Sequence, residues 1–329
     1  MSSCHSCTRT GQGIGNEARA CHRDSQQPQE EKMTAAVIWC LVTGAIWTGI
    51  GIFFSFINRR QRDALLLNLC CAVILVPISA ATIRWSGLAA EGMAWPEFAS
   101  LGITMVLAGA VMAGGLVLMI IAMRQGMPDM AWAICQSSMV IPFLLGLVIH
   151  GEQAGLANIG GVAVILAGIA SFSRQKKAVQ PGQGASRHWF VTSAIAFFVI
   201  GAGQYLFSVP SFQPGWTDRY ALRIPLQSLG GLVILLLLCG RGRLRKLDRS
   251  LWLHGLAYAV LTLAGRSSLY QAIDALARLQ LVSLAYPVCL GLSILGFSAC
   301  HAISQRKFSV TVAITSLLLV AGLFLVGIR

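Results

Sequence analysis

Ten apolar runs, each about 20 residues long, follow one another between residues 34 and 328. They fall at roughly 34–57, 63–84, 98–122, 128–149, 153–172, 189–208, 220–239, 251–275, 279–298 and 308–328. A run of this length crosses a hydrocarbon core as a helix, because only a helix satisfies its own backbone where water is absent. The alternation of a strand is missing, and the strands of a membrane barrel would be about half as long. Charged residues make up 11% of the 329 and hydrophobic ones 56%, with a mean hydropathy of +0.70. A soluble domain carries about 25% charged residues. The sequence therefore predicts an all-α polytopic membrane protein with ten transmembrane helices.

The formal net charge of +13 does not point to nucleic acid. Residues 1–32 hold four basic and four acidic side chains, so the excess belongs to the apolar part. There it gathers in short connections. Arg59, Arg60 and Arg62; Arg124; Arg174, Lys176, Lys177 and Arg187; Arg241, Arg243, Arg245, Lys246 and Arg249; and Arg306 and Lys307 follow runs 1, 3, 5, 7 and 9. These are fifteen of the twenty-one Lys and Arg beyond residue 32. The positive-inside rule puts those connections in the cytoplasm and both termini outside a multi-pass chain in the cell (inner, cytoplasmic) membrane.

Residues 1–32 are polar and lack apolar periodicity. They read as a disordered tail or a mis-assigned start, with Met33 opening the membrane part. They also lack the order of a secretory signal. Cys4, Cys7 and Cys21 have no second properly spaced pair for zinc, and the other seven cysteines lie in or beside apolar runs as small buried side chains. No cofactor or metal is expected. No phosphate-binding glycine loop and no cluster of His, Cys and carboxylates follows Met33, so the chain is not expected to be an enzyme.

Internal similarity divides the chain. Pro142-Phe143-Leu144-Leu145-Gly146-Leu147 matches Pro287-Val288-Cys289-Leu290-Gly291-Leu292 at an offset of 145, which also takes Gly151 to Gly296. Ile165-Leu166-Ala167-Gly168-Ile169 matches Val320-Ala321-Gly322-Leu323 farther on. Five runs per half is an odd number, so the second copy must enter the membrane from the opposite side. The expected architecture is a five-plus-five inverted repeat: 33–175, a basic cytoplasmic linker 176–188, and 189–329. Transporters built this way hold substrate near the midplane at the repeat interface.

Gly151-Glu152 before the fifth run, and Gly160-Gly161 with Ala167-Gly168 within it, resemble the signature of the drug/metabolite transporter superfamily (EamA-like). The resemblance covers Met33 to Arg329 and is strongest over 128–172. The basic turn Asn58-Arg59-Arg60-Gln61-Arg62, the basic linker and the end at Val326-Gly327-Ile328 are most similar to its sugar-porter branch, typified by the L-rhamnose–proton symporter. Phe297 stands where a second signature glutamate would be. The resemblance implies ten helices and a small-molecule substrate.

Ionisable and polar groups inside a bilayer are costly and are candidates for function. Arg266 lies fifteen residues into the eighth run, with Tyr270 and Asp274 on its face at i+4 and i+8. It is read as an anchor for substrate hydroxyls or a carboxylate, or as half of an internal pair with Asp274. Asp274 is the candidate coupling group. Gln136, Gln204, Arg223 and Gln227 are further candidates for substrate contact, against the bland reading that buried amides only bridge helices. Trp47 and Tyr286 could stack on a ring or belong to the core. Pro142 and Pro287 are kinks, serving a hinge or packing alone. Glu152 is read as part of a tight outer turn, favoured by the dipole at the start of the fifth helix, rather than as part of the site.

The leading expectation is a secondary transporter that moves a small polar metabolite, a sugar first, by alternating access with protons as candidate coupling ion. The alternative is an exporter of amino acids, metabolites or drugs, which an aromatic cavity with few hydrogen-bonding groups would favour. A non-transport integral membrane protein is the remote third. The expected partners are the substrate and the lipid bilayer, with the chain a monomer or homodimer.

Overall fold

The computed structural model describes residues 29–59, 63–83, 95–125, 128–152, 155–179, 187–213, 216, 219–305, 317–318, 321–322 and 325. Among these residues there is no strand. The long helices are α1 (Gln29–Arg59), α2 (Ala64–Ala81), α3 (Trp95–Gln125), α4 in two pieces (Pro128–Gln136 and Val140–His150), α5 (Leu156–Val179), α6 (Arg187–Ser208), α7 (Tyr220–Leu238), α8 (Arg249–Ala277) and α9 (Ala285–Gln305). Most of the tenth run lies outside the described residues, as does most of the polar N-terminal segment. α1 starts inside that segment, and α5 runs into the stretch expected as a linker.

Five helical segments are long and apolar enough to cross a membrane: Glu31–Phe54, Ala64–Ala81, Trp95–Gln125, His188–Phe212 and Ala221–Leu238. Ile134–His150, Leu156–Gly168 and Val282–Phe297 are apolar but shorter. α8 is long, but Arg266, Asp274 and its Ser, Thr and Gln residues lower its hydropathy. The outer surface of the bundle is apolar, with Ile103, Val148, Phe198 and Leu237 exposed. A surface of this kind suits lipid.

Prolines and caps shape the helices. Pro142 and Pro287 cannot donate to the carbonyls of Ser138 and Ser283, four residues earlier. Both those residues lie in 3₁₀ turns, Ser137–Met139 and Val282–Leu284. The two turns are 145 residues apart, the offset seen in the sequence. The first interrupts α4, whereas the second starts the ninth helical segment. Asp63 caps α2 by accepting from the Leu65 and Leu66 amides at 3.0 and 3.4 Å, and Asp248 caps α8 by accepting from Leu251 at 2.6 Å.

The dominant helix pairs are α3 with α6 and α7, α8 with α1 and α2, α9 with α1, α4 with α6, and α2 with α7. Exchanging α1 with α6, α2 with α7, α3 with α8 and α4 with α9 carries this list onto itself. One end of the bundle gathers the α4–α5, α6–α7 and α8–α9 connections, as the His150–Phe212, Ser211–Asp274 and Glu152–Val282 contacts show. The opposite end brings Phe54 against Tyr258 and Trp189 into one buried cluster with Ala122 and Ala131. These are called the clasped end and the basic end.

α3 and α7 cross backbone to backbone. A side chain on Gly109 would collide with the Gln227 carbonyl, and one on Gly230 with the Val106 carbonyl. Gly102, on the same helix, faces open space. Gly109→Ala is expected to cost about 1–3 kcal/mol of stability through overpacking, and Gly102→Ala almost nothing. Thermal unfolding of both variants in detergent checks this.

Candidate functional site

α8 carries Tyr258, Thr262, Arg266, Tyr270 and Asp274 at every fourth position, one ladder with steps of about 6 Å. The first four of these side chains line a cavity of about 800 Å³, its open mouth included. α1 supplies Trp47, Ile50 and Phe54 to it, α3 Met112, Leu116 and Met119, and α4 Trp132, Cys135 and Gln136. α6 adds Ile200, Gln204 and Phe207, and α7 adds Gln227. The lining runs from Phe54, Trp132 and Tyr258 near the basic end to Gln227 and Tyr270. Its walls are aromatic and thioether-rich, with few polar groups. Arg266 also lines a second, smaller cavity with Asn68, Ser228 and Thr262.

The polar groups of the main cavity share a pattern. Arg266 Nη1 donates to Ser228 Oγ at 2.9 Å, and Ser228 donates onward to the Ile224 carbonyl at 2.7 Å. The Tyr270 hydroxyl donates to Gln227 Oε1 at 2.8 Å, and Ser138 Oγ donates to Gln204 Oε1 at 3.3 Å. Both glutamines therefore have their carbonyl oxygens used by hydroxyls. The indole N–H of Trp47 is buried and has no partner among the described residues.

One helical turn nearer the clasped end lies a sealed ion pair. Arg223, fully buried, donates from Nη1 to Asp274 Oδ1 at 3.0 Å and to Ser211 Oγ at 2.9 Å. Ser211 donates to the same Asp274 oxygen at 2.5 Å, and Arg223 Nη2 reaches the Trp216 carbonyl. The guanidinium sits 5.5 Å from the centre of the Tyr270 ring. Charge, hydroxyl and carbonyl together offset much of the cost of burying the pair, while Arg223 Nε has no partner among the described residues. Tyr270, Gln227 and Phe207 thus roof the cavity, and this network stands behind the roof.

The second tie at that end is Glu152. Gly151 adopts the left-handed conformation (φ 65°) that ends α4, as glycine does without penalty. The turn swings Glu152 back across the bundle. Its Oε1 accepts from the Val282 amide at 2.5 Å and its Oε2 from the Ser283 amide at 2.9 Å. These are orphan first-turn donors of the segment that leads into α9. The dipole argument thus applies, but to that segment and not to α5, which begins only at Leu156. Gly146 allows the approach, since a Cβ there would lie 2.6 Å from the Ser283 side chain. Burial pushes the Glu152 carboxyl above its usual range, while its bonds from Ser283 and Val282 pull the other way. Beside it, the His150 ring stacks on Phe212 with centroids 3.7 Å apart and bonds the Tyr205 hydroxyl at 3.1 Å.

Six sequence candidates therefore surround one cavity: Arg266, Tyr270, Gln136, Gln204, Gln227 and Trp47. Arg223 and Asp274 lie behind its roof, where Asp274 pairs with Arg223 and not with Arg266. Tyr286 is buried in the core, its hydroxyl without a partner among the described residues. Sequence reading missed Ser211, Ser228, Thr262 and Tyr258. The last two were accessible, standing four and eight residues before Arg266 on its own face. The small-residue face of α5 meets the tenth helical segment, where a Cβ on Gly322 would lie 2.8 Å from the Gly161 carbonyl. Among the described residues, no cluster of His, Cys, Asp or Glu could hold a metal ion.

No family model and no curated protein matches the chain. Solved structures do. One, described only as "Crystal structure of protein", superposes with a TM-score of 0.64 at 17% identity, over 89% of this chain and 96% of its own. That likeness shows a shared fold. The class defined is an all-helical protein with several helices fit to cross a membrane, arranged around a cavity.

Glu152→Ala leaves two buried amides unsatisfied and is expected to cost about 1–3 kcal/mol. A carboxyl whose folded pKa is raised stabilises most when protonated, and that contribution is lost as pH rises through the raised value. The melting temperature of wild type relative to Glu152→Gln should therefore fall as pH goes from about 4 to about 8.

Proposed function

We propose that the chain is a secondary transporter that moves a small organic molecule across the cytoplasmic membrane by alternating access. The single observation that carries the reading is the central cavity. It lies in the middle of the bundle between six helices, and the Tyr270–Gln227 roof, the Arg223–Asp274 network and the Glu152 tie stand between it and the clasped end. With the basic connections in the cytoplasm, this conformation is shut outward.

A five-plus-five inverted repeat supports this reading. The exchange of helix pairs and the two 3₁₀ turns 145 residues apart are what such a repeat would produce. So does the resemblance of Gly151-Glu152 and the glycine-rich fifth helix to the drug/metabolite transporter superfamily. At the position equivalent to Glu152, Phe297 packs over Gly51. A polar tie at one end with an apolar contact at its counterpart leaves the second end easier to part.

The aromatic, weakly polar lining favours the superfamily's exporters of metabolites or drugs over its sugar porters. A sugar would need hydrogen-bond acceptors as well as donors, and the side-chain oxygens of Gln204 and Gln227 are already used by hydroxyls. Asp274 remains the candidate coupling group, its Oδ1 held by Arg223 and Ser211.

Counterflow into proteoliposomes, across labelled amino acids, organic acids and sugars with and without a pH gradient, tests the proposal. At least one apolar or aromatic solute should exchange faster than any sugar. Asp274→Ala, which leaves Arg223 unpaired at a cost of about 3–5 kcal/mol, should reduce exchange severely. Failure of every solute to exchange would contradict transport.

A further inference from the structure

We infer that the cavity is built for a monoanion, a carboxylate on an apolar or aromatic body, with Arg266 as its anchor. The inference rests on the transport reading for its purpose, but its own grounds are the chemistry of the lining. Arg266 is half-buried and has one hydrogen-bond partner among the described residues, the neutral Ser228 hydroxyl. Among the described residues no Asp or Glu lines the cavity, and the nearest on its face, Asp274, is engaged by Arg223. A guanidinium in an apolar bundle is costly unless an opposite charge or water meets it. The empty side of Arg266 therefore calls for an anion.

The other polar groups agree. With the Gln204 and Gln227 oxygens accepting from hydroxyls, the N–H₂ of each amide is the group left to donate. The Trp47 indole N–H, next to Gly265 of α8 and buried without a partner among the described residues, adds another donor to the same cavity. A carboxylate accepts only, so it suits these donors, and it pairs with a guanidinium in a planar fork. A doubly charged phosphate would need a second cation, and Arg223 is already neutralised. An ammonium group would find no carboxylate, which disfavours amines and zwitterions. The body of the ligand faces Phe54, Trp132, Phe207 and Tyr258, surfaces on which a ring or alkyl chain is at home.

The test is calorimetric binding to the full chain in detergent, using phenylacetate, phenylacetamide, 2-phenylethylamine and phenylalanine. These share a ring and differ in charge. Phenylacetate should bind at least about tenfold more tightly than the other three, the scale of one charge-assisted contact out of water. Arg266→Gln should remove that preference, and its thermal unfolding in detergent reports whether the fold is intact. Arg266→Lys should keep part of it. Equal or better binding of the amide or amine, a preference that survives Arg266→Gln, or no binding by any of the four would overturn the inference. Selective binding of phenylacetate without counterflow in proteoliposomes would instead contradict the transport reading and leave the anion site standing.

Discussion

In an apolar bundle, each buried charge and each backbone amide left without a helical partner must be met from within the protein. The arrangement of this chain follows from how that demand is met at three places. Glu152 takes the orphan amides of Val282 and Ser283, joining the α4–α5 turn to the start of the ninth helical segment. Arg223 and Asp274 neutralise each other with Ser211 and the Trp216 carbonyl. Both solutions lie at one end and hold it shut. Arg266 is the exception, since its charge faces a cavity and a lone serine hydroxyl. What is closed in the molecule and what is open follows from that difference.

The helical class was legible because it needs only local information: run length and the lack of alternation. The ladder from Arg266 to Tyr270 was legible for the same reason, as i+4 spacing places side chains on one face whatever the fold. Partner choice was not. Asp274 on the face of Arg266 suggested a pair within α8. Residues two turns apart are about 12 Å distant along the axis, however, whereas α7 brings Arg223 within 3.0 Å. Glu152 was placed in the right turn but given to the wrong helix. Its carboxylate points where the left-handed Gly151 aims it, across 130 residues of sequence to Val282, and no spacing rule encodes that.

The two stretches that match at an offset of 145 residues are built differently. Pro142 and Pro287 occupy equivalent places, and each follows a 3₁₀ turn. The first turn lies between the two pieces of α4, with helix before it. The second opens a helix and so frees the amides that Glu152 takes. A difference of one helix boundary thus decides which end has a polar tie. The close crossing of α3 and α7 through Gly109 and Gly230 is a rigid contact around which the remaining helices are placed.

Access to the cavity is the central claim, and thiol labelling measures it directly. Thr262→Cys in a version without native cysteines places a thiol on the α8 ladder inside the cavity. A membrane-impermeant maleimide should label it rapidly from the cytoplasmic face in inside-out vesicles and slowly from the outer face. Faster labelling from the outer face, or none from either, would contradict the account.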